Sequence, residues 1–203
     1  MARFLSSQLL NAAAQRNDRT PAYMREEHIR TEGIPAVAQR TVNSITVHAC
    51  STVGTSAQGS VSVAHFRLFL GLSGVRPESV ELNNTGHQGG RTTTTFITYR
   101  PYSRSQTVTT LGYQVVNIAG SNLTVNQILE HLFVTKRRHL YRLDADTGSG
   151  CRFWCRTVLS DMVAQTWIPS SAIELTEAIA EAIQRNNKAL VSEVGNPRGG
   201  IFY

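Results

Sequence analysis

The stretch Val61-Ser-Val-Ala-His65-Phe-Arg67-Leu-Phe-Leu-Gly-Leu72 decides the fold. Its residues alternate strictly, and β-branched and aromatic types dominate, which is the pattern of an extended strand. A period of two puts His65, Arg67 and Phe69 on one face and Phe66, Leu68 and Leu70 on the other. One face is wholly apolar and must meet a core. The other carries two ionisable groups and therefore a candidate site.

Strand signals continue on both sides. Residues 42–50 are β-rich. Residues 51–60 are rich in Gly, Ser and Thr and read as a loop long enough to form a flap over a site. A short strand over 79–83, with Glu81 on the opposite face from Val80 and Leu82, leads into a glycine-rich loop, 84–91, that contains His87. Residues 92–99 and 107–119 extend the sheet, the latter bent at Gly112. Then the period changes. Thr124-Val-Asn-Gln127 is a capping box, and Val125, Ile128, Leu129, Leu132 and Phe133 form the apolar stripe behind it.

After a short strand at 139–143, a glycine-flanked loop over 144–150 delivers Cys151 to the first turn of a helix. Phe153, Trp154, Val158, Leu159, Met162 and Val163 recur there at helical spacing. Trp167-Ile-Pro169 breaks the chain. Ser170 or Ser171 then caps a last helix with Ile173, Leu175, Ala178, Ile179, Ala182 and Ile183 inward. Strands first and helices afterwards make an α+β fold, an antiparallel sheet packed against a few helices. Residues 1–40 read as a helix over 4–14 followed by a loose arm broken by Pro21 and Pro35. Residues 41–190 form a single domain. Residues 191–203 are a C-terminal tail whose last three residues are apolar enough to dock.

The composition narrows the function. The chain has 203 residues, 41% hydrophobic and 17% charged, which is globular rather than disordered. It lacks an apolar run long enough to span a bilayer. Ser6, Ser7, Gln8 and Asn11 interrupt the apolar start, which argues against a secretory leader. The expected location is cytoplasmic, with a mitochondrial presequence as the alternative because the first acid is Asp18. Three cysteines, Cys50, Cys151 and Cys155, make no disulfide framework. The net charge of +6 is scattered, and its one tight run, Lys136-Arg137-Arg138, suits a helix C-terminus. Nucleic acid is therefore not an expected partner. The expected partner is a small-molecule substrate, with a homo-oligomer left open.

A cysteine at a helix start lies where unpaired N–H groups and the helix dipole favour a thiolate. Its competing role is a small buried residue capping a core helix. A catalytic thiol needs a base and the base an orienting partner. His65 is the first candidate base, and Glu81 on the adjacent strand its candidate partner. His87 is an alternative partner or base. Arg67 shares the His65 face and suits either a substrate carboxylate or an ion pair with Glu81. Tyr99 and Asp144 are weaker candidates. The Cys-x-x-x-Cys spacing of Cys151 and Cys155 is no specific zinc pattern, and Gly148-Ser-Gly150 lacks a phosphate-loop lysine. Neither a metal nor another cofactor is expected.

Ala64-His-Phe-Arg-Leu-Phe-Leu70, followed later by Gly150-Cys-Arg-Phe-Trp154, resembles the circularly permuted papain-like thiol enzymes. That superfamily includes the lecithin:retinol acyltransferase-like and cell-wall peptidase-like groups, and in permuted members the histidine strand precedes the cysteine helix. Over residues 44–168 the chain is also similar to a fungal family of small uncharacterised domains. These share a strand like His65-Phe-Arg-Leu-Phe-Leu and a segment like Tyr141-Arg-Leu-Asp ahead of Gly150-Cys-Arg-Phe-Trp. The resemblance implies a permuted papain-like fold with Cys151 as nucleophile, His65 as base and Glu81 as the orienting member. Arg67, His87 and Tyr99 are then the expected substrate-binding residues. It implies a thiol hydrolase or an acyl or amide transferase acting on a small metabolite of secondary metabolism. Two rivals stand beside it. One is a cyclase or isomerase using the same cleft by acid–base chemistry without a covalent step; the other is a non-enzymatic binding domain.

Overall fold

A computed structural model describes residues 21–56, 59–86, 92–120, 122–143, 150–186 and 200–203. The helix expected over 4–14, His87 and Asp144 lie outside the described residues. The main sheet has six strands: β1 (Ile29–Glu32), β2 (Val42–Ser56), β3 (Gly59–Leu72), β4 (Ser79–Gly86), β5 (Thr93–Arg100) and β6 (Thr110–Asn117). Their spatial order is β1-β5-β4-β3-β2-β6, so the His65 strand β3 is internal. A separate pair joins β7 (Tyr141–Arg142) to β8 (Ile201–Phe202). Three α-helices follow the sheet: α1 (Val125–Leu129), which runs on as a π-helical turn over Glu130–Thr135, α2 (Cys151–Ala164) and α3 (Leu175–Asn186).

The two faces of β3 behave as its alternation requires. Phe66, Leu68 and Leu70 oppose Ala49, Val47 and Ile45 of β2, and all six are buried in one core with the helices. Val158, Leu159 and Met162 of α2 are fully buried against that face. Thr124 caps α1 as expected: its Oγ1 accepts from Gln127 N–H at 3.3 Å, and its own N–H donates to Gln127 Oε1 at 2.9 Å.

The opposite face is crossed by residues 101–109, which carry the chain from one side of the sheet to β6 on the other. Ser79 Oγ donates to Tyr102 O at 2.7 Å, Ser51 N–H donates to Thr109 O at 2.7 Å, and the Arg104 guanidinium stacks on Tyr113 at 3.6 Å. Beneath this strap Phe69, His48 and Glu81 are buried.

Several expectations are corrected. The sheet is mixed, because β1 runs parallel to β5 in the register Ile29↔Thr95 to Glu32↔Thr98. The described part of the arm is not loose. Tyr23, Ile29, Ile34 and Val37 are buried, between 3₁₀ turns at Ala22–Arg25 and Ile34–Ala36. Pro21 caps the first turn, Pro35 is the second residue of the other, and Gly33 supplies the left-handed φ of 70° between β1 and that turn. The loop expected at 51–60 is a long hairpin whose pairing reaches Ser56↔Gly59. Its Ser, Thr and Gly residues look loop-like, but the cross-strand ladder satisfies their backbone groups. Residues 107–109 belong to the strap, and β6 begins at Thr110. The last helix opens on a 3₁₀ turn over Ser170–Glu174 with Pro169 at its cap, and no serine side chain caps it.

The buried arm yields a stability test. Ile34→Ala removes a fully buried side chain and should cost about 2–5 kcal/mol in urea denaturation, whereas a residue on a loose arm would cost next to nothing.

Candidate active site

β3 and β4 pair only over Leu68–Gly71 with Ser79–Leu82. Beyond that point β3 continues alone with β2, to Ser56↔Gly59, and β4 alone with β5, to Gly86↔Thr93. The two strands part, and the start of α2 sits at the gap. In an antiparallel strand every second residue turns its N–H and C=O to the same edge. Leu72 N–H points towards the β4 side, where it donates to Glu78 O at 2.9 Å, so Phe66 and Ala64 present their groups to the same side. With β4 gone, the Phe66 N–H donates to Cys151 Sγ at 3.3 Å, and Ala64 O lies 3.9 Å from the same sulfur. A backbone donor left without its strand partner has been given a sulfur instead.

Cys151 is the first residue of α2, and Gly150 precedes it with φ of 136°. A side chain there would be strained, and its Cβ would stand 2.7 Å from Tyr141 Oη. The His65 ring and the Cys151 sulfur are near enough for each to shift the other's protonation. The ring Nε2 is 2.7 Å from Asn83 Oδ1, which leaves Nδ1 for the sulfur. Both Cys151 and His65 are half-buried rather than sealed in the core.

The charges of the pair support each other. Burial pushes the Cys151 thiol up. The hydrogen bond and charge of His65, with the N–H groups of Phe66 and Arg152, outweigh this and hold it below its ordinary value. Burial pushes the His65 imidazole down, but Cys151 and then Asn83 more than reverse this, against a smaller opposing effect of Arg67, and the ring sits above its ordinary value. Both shifts run in the direction that favours a thiolate beside an imidazolium. The other two cysteines differ. Burial raises the Cys50 thiol, and burial raises Cys155, which is fully enclosed in the core, well above the ordinary range.

Glu81 does not orient His65, which corrects the expectation. It is buried and bonded on both oxygens, Oε1 to Arg67 Nη1 and Oε2 to Arg100 Nε, each at 2.7 Å. It stands opposite Phe69, two residues further from the gap than Asn83, so its carboxylate is drawn to the two arginines under the strap. Arg67 is likewise engaged. Besides Glu81 it donates through Nε to His48 Nδ1 at 3.4 Å, and its guanidinium lies over the Phe69 ring at 5.4 Å. Burial and then Arg67 push His48 down to about 4, so the ring is neutral and free to accept that bond. Tyr99 stands apart: it pairs with Val80 on the helix-covered face, and its hydroxyl donates to Glu78 Oε1 at 2.5 Å. Of the nominated residues, then, Cys151 and His65 come together, Arg67 and Glu81 form a neighbouring ion pair, and Tyr99 belongs to neither. His87 falls outside the described residues.

Sequence reasoning missed Asn83. The same period of two that exposed Glu81 puts Asn83 on its face, one step nearer the cysteine. Preference for a charged partner hid it, although an amide oxygen can also accept a bond from an imidazole N–H. Among the described residues no group of three His, Cys, Asp or Glu side chains is arranged to hold a metal ion, and no helix is long and apolar enough to cross a membrane.

The chain belongs to the family described as Domain of unknown function (DUF7770), whose model matches residues 44–203 and so includes His65, Asn83 and Cys151. No curated protein and no solved structure matches it.

The two neighbouring acceptors should separate on mutation. Asn83→Ala removes a bond that favours the charged ring and should lower the His65 pKa, read by NMR titration of its imidazole protons. Glu81→Gln leaves two arginines beside an uncharged amide and should cost towards the lower end of about 3–5 kcal/mol in denaturant unfolding, while the His65–Asn83 bond persists.

Proposed function

We propose that this protein is a thiol enzyme that hydrolyses or transfers an acyl or amide group, with Cys151 as nucleophile, His65 as acid–base and Asn83 as the residue that orients the ring. The observation that carries this reading is the chain of contacts from the sulfur at the start of α2 through His65 to the Asn83 amide at 2.7 Å. The same residue types serve these roles in papain-like thiol proteases. With the histidine strand ahead of the cysteine helix, the order agrees with a circularly permuted member of that superfamily.

The chemistry follows from the ion pair. The Cys151 thiolate attacks the carbonyl carbon, forming a C–S bond as the carbonyl electrons move onto oxygen. Backbone N–H groups at the start of α2 stabilise that oxyanion. As the carbonyl re-forms, the bond to the leaving nitrogen or oxygen breaks and the leaving group takes the proton from His65. Water, or an acceptor nucleophile for transfer, then gives a proton to His65 and attacks the thioester. The C–S bond breaks and the thiolate returns. Asn83 keeps Nδ1 aimed at the sulfur throughout. The substrate is a small acylated or amidated metabolite, and Arg67 contributes positive charge one strand step from His65 without touching the sulfur.

Alkylation by iodoacetamide, mapped by mass spectrometry, tests the reading without a known substrate. Cys151 should react at about pH 6–7, within the range of activated thiols, which ionise between about 3.5 and 7.5 against about 8.5 for a free cysteine. Cys50 and Cys155 should lag far behind. His65→Ala should move the Cys151 profile up towards the free value. Turnover on any substrate found should fall at low pH as the thiolate protonates and at high pH as the imidazolium deprotonates, and Cys151→Ala should abolish it. An unreactive Cys151 in the native protein would be fatal to the proposal, and full turnover by Cys151→Ala would leave acid–base chemistry at His65 in its place.

A further inference from the structure

The cap of α2 is held from outside by a contact that the thiol chemistry does not itself use. β8 pairs antiparallel with β7 in the register Tyr141↔Phe202 and Arg142↔Ile201. The Tyr141 hydroxyl donates to Gly150 O at 2.9 Å and accepts from Gly200 N–H at 2.9 Å. Gly150 O is also the acceptor for Trp154 N–H at 2.8 Å, at the first turn of α2. One fully buried hydroxyl therefore connects β8 to the peptide that precedes Cys151.

The fit around that hydroxyl is tight. A Cβ on Gly150 would stand 2.7 Å from Tyr141 Oη, and one on Gly200 would stand 2.0 Å from Arg142 O and 2.5 Å from Tyr141 Oη. Phe202 holds the arrangement shut. Its ring packs on Tyr141 at 4.6 Å and near Phe153 of α2 at 6.2 Å. Its outer side is covered by the Arg138 guanidinium at 4.8 Å, itself bound to both oxygens of Asp161 on α2 at 2.5 and 2.9 Å. β7 is tied in turn to the main sheet, where Thr93 Oγ1 donates to Tyr141 O at 3.0 Å.

We propose that Tyr141 and Phe202 are positioning residues for Cys151: β8 clamps the Tyr141 ring, the Tyr141 hydroxyl fixes the Gly150 carbonyl, and the sulfur is thereby held against the Phe66 N–H and the His65 ring. The functional meaning rests on the thiol reading above. A carbonyl with two donors resists rotation, and Gly150 by itself has the least conformational restraint of any residue. Loss of the clamp frees the 150–151 peptide to turn, and a displacement of about 1 Å at a reacting atom can cost about a hundredfold in rate.

The test compares full-length variants by the pH dependence of Cys151 alkylation with iodoacetamide, alongside far-UV circular dichroism and thermal melting. Tyr141→Phe deletes one oxygen and keeps the ring. Phe202→Ala opens the stack, and Phe202→Leu refills it. Tyr141→Phe and Phe202→Ala should each shift the Cys151 profile upward and slow alkylation near neutral pH at least about tenfold, in proteins that remain folded, with Phe202→Leu largely restoring the native profile. Tyr203→Ala, half-exposed beside Arg142, should change nothing. Native profiles in Tyr141→Phe and Phe202→Ala would overturn the positioning role and leave the thiol reading intact, even if melting temperatures fell. An ordinary thiol profile in the unmutated protein would remove both. Tyr141→Phe decides the matter if Phe202→Ala unfolds.

Discussion

The hydrogen bond from the Phe66 N–H to the Cys151 sulfur rests on the constraint that shapes this site. A buried backbone donor without a partner costs about 1–3 kcal/mol, so a strand that leaves its neighbour must find a substitute along the opened edge. β3 leaves β4 beyond Leu68, and α2 arrives where Phe66 and Ala64 are bare. The helix start, through the Arg152 N–H, and the strand edge, through the Phe66 N–H, converge on one sulfur. A sulfur that accepts N–H bonds from both sides is better suited to a thiolate than to a thiol. The geometry that satisfies the backbone is thus also the geometry that tunes the side chain.

The polar face of β3 divides into two zones. Under the strap of residues 101–109, Glu81 is matched with Arg67 and Arg100, and His48 is neutral. Glu81 and His48 are buried, Arg67 and Arg100 are half-buried, and hydrogen bonds link the four. Towards the gap, His65 faces Cys151 and Asn83. Arg67 joins the zones. It completes the ion-pair network and depresses the basicity of His65, an effect that Cys151 and Asn83 overcome. The partner of His65 is an amide rather than a carboxylate, so it adds no negative charge next to the Cys151 sulfur.

Cys155 shows how local the tuning is. It stands one turn further along α2, enclosed by the core, and its thiol is raised well above the ordinary range while that of Cys151 is lowered. The dipole and unpaired N–H groups act within the first turn, and the imidazole reaches only the first cysteine. Burial then dominates at the second, as it does for most cysteines in cores.

The sequence by itself determined the local structure and one side of the chemistry. Alternation over residues 61–72 established β3 and its two faces, the Thr124 capping box established the start of α1, and the glycine before Cys151 established a cysteine at a helix start. Each is a signal between near neighbours, carried by periodicity or by a side chain reaching its own backbone. Those signals also nominated His65 and Cys151 as a pair, although 86 residues of chain apart they bear no local trace of each other. Only the tertiary structure decided the rest. That β1 adds in parallel beside β5, that residues 21–40 pack into the core, and that β2 and β3 form one long hairpin depend on partners far along the chain. Asn83 rather than Glu81 reaches His65 because the register sets Glu81 opposite Phe69 and brings Asn83 two residues nearer the gap. A strand's period says which residues share a face, but register and the point of divergence say which of them meet.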